Sequence, residues 1–285
     1  MLKNNKMTEY DKNIDSFKNL ENDFGTSDDA LWAKIEKKTI LKKESKTFKL
    51  GWKSYGIAAS LIVLMGMTLF LRLYSIEVSA NKGQHFSHEL PDGSIVQLNA
   101  ASSIHYKPYW WNIEREVALT GEAFFEVEKG ETFTVISEEG NTAVLGTSFN
   151  VFARESEYQV YCKTGKVEVA SNKYDIHYRI TAGELAVIDN TAKSGMKKQM
   201  DARDYTAWID NRFSFTDASL PMVFQELERQ YDIKINYAEE LSKLKYGAYF
   251  ERPQHADSAL DLICIQFQLN FEQTALNCHN RVRAF

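Results

Sequence analysis

Three cysteines in 285 residues are too few, and odd in number, for a disulfide scaffold. Cys162 alternates in phase with Tyr158 and Val160, and Cys264 shares a helical face with Leu260, Ile263 and Phe267, so both read as core thiols. A Cys264–Cys278 bridge stays open in an oxidising compartment, because sequence does not fix the Cα spacing it needs. The six histidines are scattered. His85 and His88 stand three apart in a stretch without helical signals, and an extended chain turns them to opposite faces, which argues against a metal pair. No Cys–His set has zinc spacing. No glycine loop matches a phosphate cradle. TSFN at 147–150 offers hydroxyls without a G-x-S-x-G elbow. Glu122 and Glu126, four apart in a strand-like run, read as a solvated face. The expectation is a chain that is not an enzyme and needs no cofactor.

Charge is unevenly spread. Residues 1–53 carry twelve lysines against nine carboxylates, whereas the rest of the chain is acidic. An acidic body argues against binding nucleic acid through the phosphate backbone.

Long apolar runs are scarce too; there is one. Residues 54–71, SYGIAASLIVLMGMTLFL, hold no charge. At about 1.5 Å per residue they reach roughly 27 Å, the thickness of a thin hydrocarbon core. Lys53 and Arg72 bound the run, and Trp52, Tyr55 and Tyr74 sit where interfacial aromatics belong. A buried core helix is the competing reading, but no face of the run is polar. Lys34, Lys37, Lys38, Lys42, Lys43, Lys46, Lys49 and Lys53 precede the run, and only Arg72 and Lys82 follow it closely. The positive-inside rule then keeps the N-terminus in the cytoplasm and sends residues from about 74 across the membrane.

Before the span, Tyr10, Ile14, Phe17, Leu20 and Phe24 form one helical stripe, and Gly25 is a stop. Thr26 or Ser27 can cap a second helix that carries Leu31, Trp32 and Ile35 on a short apolar face. Two helices in about fifty residues bury too little to offset chain entropy. The segment is either a disordered tail or, as the stripes favour, a pair of helices that order in a partner's groove.

After the span the apolar period falls to two. Val96, Leu98 and Ala100 follow the PDG turn, and the alternation continues through Val117, Phe125, Val135, Val151, Val160, Val169 and Val187. This predicts an all-β domain over about 80–190, a sandwich or a solenoid, with strands separated by Gly, Asp or Asn turns. Residues 191–207 are polar and read as a linker. Residues 208–285 alternate short strands with two amphipathic helices, giving a compact α+β domain of two β-α-β units. YWW at 109–111 is either a loop packing on the β domain or an aromatic platform for sugar rings. The second makes a membrane-anchored carbohydrate-binding protein the alternative function.

LPDGSIVQLNAASSIHY (90–106), REVALTGEAFFEVEKG (115–130), VLGTSFNV (144–151), TGKVEV (164–169) and ITAGELAVID (180–189), in this order, resemble the FecR family of transmembrane regulators. Leu90, Pro91, Asp92, Gly93, Gly121, Glu122, Leu145, Gly146, Thr147, Phe149 and Asn150 carry that resemblance. The stretch from Trp208, WIDNRFSFTDASLPMVFQELERQYDIKINY, is similar to the domain that often follows in the family, itself similar to the short N-terminal domain of secretins and TonB-dependent transporters. LWAKIEKK at 31–38 is similar to the family's N-terminal region. The resemblance implies an inner-membrane anti-sigma factor. It would take a periplasmic signal from the signalling domain of a TonB-dependent outer-membrane transporter and pass it to an extracytoplasmic-function sigma factor, which Leu31, Trp32 and Ile35 would contact. The Gly146–Thr147 bond carries a further expectation: the threonine hydroxyl can attack the glycine carbonyl and split the chain.

Overall fold

The computed structural model describes residues 28–39, 51–276 and 279–284. The expected stripe from Tyr10 to Phe24 and the partner cysteine Cys278 lie outside them. Helix α1 runs Asp28–Thr39, and Asp29 in its first turn carries negative charge where the helix dipole favours it. Leu31, Trp32 and Ile35 are 46%, 68% and 46% exposed on it. Helix α2, Trp52–Leu73, includes the one stretch among the described residues long and apolar enough to cross a membrane, Ser54–Leu73.

The next residues build a near-barrel of 13 strands, one continuous sheet folded over so that two halves face each other as the two sheets of a sandwich. One sheet runs β1 (Ile76–Ala80), β4 (Ser102–Tyr106), β5 (Arg115–Glu126), β6 (Phe133–Ile136), β7 (Gly140–Val144), β10 (Lys166–Ser171), β11 (His177–Thr181). The other runs β2 (Phe86–Glu89), β3 (Ile95–Leu98), β5 again, β8 (Ser148–Arg154), β9 (Glu157–Thr164), β12 (Glu184–Asp189), β13 (Ser194–Gln199). Every pairing is antiparallel except β5 with β6. The alternating residues meet between the sheets, where Phe125 stacks on Phe149 with ring centroids 5.2 Å apart.

β5 belongs to both sheets. Its first half pairs with β4 and β6, its second with β3 and β8, and the change falls at Gly121. There φ is +100°, and a Cβ would stand 2.6 Å from Ser102 Oγ. TGE is thus a bend inside a continuous strand rather than a turn between two. The chain also changes sheet at Gly146, between β7 and β8, at Gly165, between β9 and β10, and at Gly183, between β11 and β12. The recurring glycine motifs are the corners of the sandwich.

Two boundaries differ from expectation. The β domain begins with β1 at Ile76, whose IEVSA alternates but directly follows the span-length helix, and β2 is an edge strand with weak alternation. It ends at Gln199, because the polar stretch expected as linker contains β13, which is exposed along its length and pairs with β12 through its backbone. Its side chains gave no signal of a strand. Helix α3, Ala202–Thr206, is capped by the Asp201 side chain, and a 3-10 turn over Ala207–Asp210 leads on.

The C-terminal domain follows the expected order: β14 (Arg212–Ser219), α4 (Leu220–Tyr231), β15 (Lys234–Tyr237), β16 (Lys245–Glu251), α5 (Ala256–Phe267), β17 (Phe271–Leu276), β18 (His279–Ala284). The two β-α-β units interlock. β14 pairs with β16, and β15 runs parallel to β18, so strands of one unit bond to strands of the other. Val223, Phe224, Leu227, Leu260 and Ile263 close the core between them.

Candidate functional site: a buried polar junction between the β domain and the C-terminal domain

The site grows from the Gly121 corner. Glu122, the next residue, is buried rather than solvated, which corrects the expectation from its spacing to Glu126. The bend turns its side chain toward Asn99, at the β3–β4 corner, and Asn150, on β8. Asn99 Nδ2 and Asn150 Nδ2 each donate to one carboxylate oxygen at 2.8 Å. Both amide oxygens accept from the C-terminal side of the chain. Trp208 Nε1 donates to Asn150 Oδ1 at 3.2 Å, and Gln230 Nε2 donates to Asn99 Oδ1 at 2.7 Å. Gln230 Oε1 in turn accepts from Arg252 at 2.8 Å and meets His85 Nε2 at 3.0 Å. The result is a directed chain of donors from the α+β domain to one buried carboxylate of the β-sandwich.

Charges surround this chain. Glu226, on α4, is only 17% exposed and accepts from Arg229 and Gln230. Arg154, at the end of β8, donates to the carbonyls of Ala100 and Ala101 and to Ser102 Oγ, and its Nε is buried without a partner. Burial first, then the Glu226 charge, push the Glu122 carboxyl above its ordinary range, against Arg154 and the two asparagines. Burial works on Glu226 as well, but Arg229, Arg154 and Gln230 outweigh it and hold its carboxyl below the ordinary range. His85 packs edge-on against Trp208, and burial lowers its pKa. The backbone joins in: Gly83 N donates to Arg229 O at 2.8 Å, and Arg252 reaches Gly83 O at 3.3 Å. A cleft of about 690 Å³ opens beside the network, lined by Phe152, Arg154, Tyr205, Trp208, Phe215 and Glu226 among others.

Two domain models match the chain. The FecR protein model covers residues 76–168, and the FecR C-terminal model covers residues 212–278. The chain belongs to the FecR family. Two crystal structures of a candidate anti-sigma factor from Parabacteroides distasonis ATCC 8503 are similar at 28% identity. They match 74% of this chain and 99% and 98% of theirs, with TM-scores of 0.68 and 0.67. No curated protein matches.

The FecR motif residues divide by task. Leu90 is core, and Pro91–Gly93 form a turn in which Gly93 N donates to Leu90 O and Asp92 holds Arg115. Phe149 is core, and Leu145 is exposed. Gly121, Glu122 and Asn150 build the junction. Thr147 is buried beside the Gly146 corner, where φ is +150°, and its hydroxyl donates to Lys166 O at 3.1 Å. Leu31, Trp32 and Ile35 lie on α1, a separate element.

Sequence reasoning did not single out Asn99, Arg154, Trp208, Glu226 or Gln230. Four of them fall in stretches that resemble the family, but no local pattern shows that a tryptophan and an asparagine 58 positions apart will bond. YWW divides in three. Trp111 is buried against Tyr106 and Phe133, Trp110 meets Arg72, and Tyr109 is exposed. The three rings do not form one platform.

Proposed function

We propose that this FecR-family chain is a single-pass anti-sigma factor of a bacterial inner membrane, with its N-terminus in the cytoplasm and its two β-containing domains in the periplasm. The C-terminal domain receives a signal from the signalling domain of a TonB-dependent outer-membrane transporter. The junction hands it to the sandwich, and α2 carries it to an extracytoplasmic-function sigma factor held in part by Leu31, Trp32 and Ile35. The observation that carries this reading is the order on one chain: a lysine-rich head with an exposed apolar helix face, a membrane-length helix, then both FecR domains. The lysines before the span support the orientation. In a pull-down of the sigma factor, Trp32→Ala with Ile35→Ala should reduce recovery at least several-fold. Unchanged recovery would remove those residues from the contact.

The Gly146 corner supports a second event on the same chain. Thr147 Oγ adds to the Gly146 carbonyl carbon, the peptide C–N bond breaks, and an ester with a free Thr147 amine results. Water then releases the Gly146 carboxylate and restores the hydroxyl. The left-handed φ at Gly146 and the adjacent buried hydroxyl favour it. Mass spectrometry of the native chain from cells should find a fragment starting at Thr147, and Thr147→Val should abolish the break at that bond. A native chain that stays intact would exclude the reaction.

A further inference from the structure

The loop after β4 splits its apolar residues between two environments. Trp111 anchors it, buried in the sandwich with ring centroids 5.7 Å from Tyr106 and 5.8 Å from Phe133. Ile113 N and Glu114 N both donate to Trp110 O, which stiffens the tip. Tyr109 and Ile113 point away from that core, 60% and 70% exposed. An exposed isoleucine and an exposed tyrosine four residues apart on one short tip are not needed for the fold, and Ile113 borders a cleft that also holds Glu114, Arg115, Glu128 and Lys129.

The tip stands at the end of α2. Only Tyr74 and Ser75 separate Leu73 from β1. The Tyr74 amide donates to Phe70 O at 2.9 Å, so the last helical turn continues into this residue. Its ring lies 5.3 Å from that of Tyr109, and the Arg72 guanidinium lies 5.8 Å over the Trp110 ring. If α2 spans a bilayer, its end fixes the level of the headgroups, and the tip is held at that level. Tyrosine and tryptophan are the residues that favour this zone, with an apolar body and a polar edge. An arginine there can keep its charge among phosphates while its stem stays in the apolar layer.

We propose that the tip over Lys107–Glu114 docks on the phospholipid interface of the bilayer that α2 crosses, with Tyr109, Trp110 and Ile113 entering the boundary between headgroups and acyl chains. The inference rests on the spanning role of α2. Its consequence is that the sandwich is seated on the membrane at two points, the helix end and the tip, and cannot swing freely about residues 74–75.

The test uses the full chain in phospholipid nanodiscs, its own three cysteines replaced by alanine. Single nitroxide labels go on Ile113→Cys, on Leu64→Cys inside the span, and on Asp175→Cys in the exposed β10–β11 turn at the opposite edge of the sheet from β1. Each label's collision rates with oxygen and with a water-soluble nickel reagent are compared. The expected result is an oxygen preference at Ile113→Cys between those of the other two. A lipid-like reading at Leu64→Cys with Ile113→Cys matching Asp175→Cys would overturn the docking and leave the span intact. A watery reading at Leu64→Cys would remove the span and the docking with it. The native sequence gives an independent check. Bromine-labelled phospholipids should quench a fluorescence component that Trp110→Phe removes, and equal quenching of both chains would count against the proposal.

Discussion

Glu122 shows how much one buried carboxylate can organise. Its two oxygens accept from asparagines whose own oxygens are committed to Trp208 and Gln230, so neither amide can turn round without losing a bond. Glu122→Gln sets an amide NH2 against one of those donors. The buried donor left without an acceptor should cost about 1–3 kcal/mol, read as a lower urea midpoint for residues 75–285. Titration adds a signed expectation. The raised Glu122 value gives stability that is full below its ordinary 4.5 and is lost as pH rises through the raised value. The lowered Glu226 value gives stability present above 4.5 and lost as pH falls through the lowered value. Stability should therefore decline on both sides of the mildly acidic range, and Glu122→Gln should flatten the decline toward neutral pH. An unchanged slope in that variant would assign the titration to another group.

Among the elements, β5 decides the architecture, because one strand serves two sheets only if it can bend without breaking. Gly121→Ala places a methyl group within 2.6 Å of Ser102 Oγ at φ +100°. Strain and overlap together should cost at least about 2 kcal/mol. The loss should be cooperative across both sheets, seen as one shifted thermal transition. Two transitions would mean the sheets fold separately. The elements also mark where the sequence was readable. Phe125, Phe149 and Val160 announce their strands because one face is packed. β13 pairs through its backbone with exposed side chains, so its composition reads as a linker.

For the whole molecule, the proposed relay requires a distal domain to act on a helix of membrane-spanning length. The C-terminal domain rests on the β-sandwich through a polar network, which can be undone and remade more readily than a continuous apolar core. Under the proposed relay, deleting residues 208–285 should abolish the transcriptional response to the ligand of the proposed transporter partner while the remaining chain still fractionates with the membrane. A deletion mutant that responds normally would exclude that domain as the receiver.

The sequence by itself pointed to the order of parts: a basic head with two helix stripes, one span-length apolar run, a β domain, then an α+β domain with two helices. Those follow from local periodicity and charge, which neighbouring residues share. Only the tertiary structure decided that the glycine motifs are corners between two sheets, that the two β-α-β units interlock, and that Glu122 is buried. Each depends on contacts between residues far apart in the chain, and the corner at Gly121 that brings Glu122 to Asn99 and Asn150 leaves no periodic trace. VLGTSFNV carries both lessons: its alternating Phe149 and Val151 mark a strand, while its place as a passage between sheets, with Asn150 reaching Trp208, exists only in the folded chain.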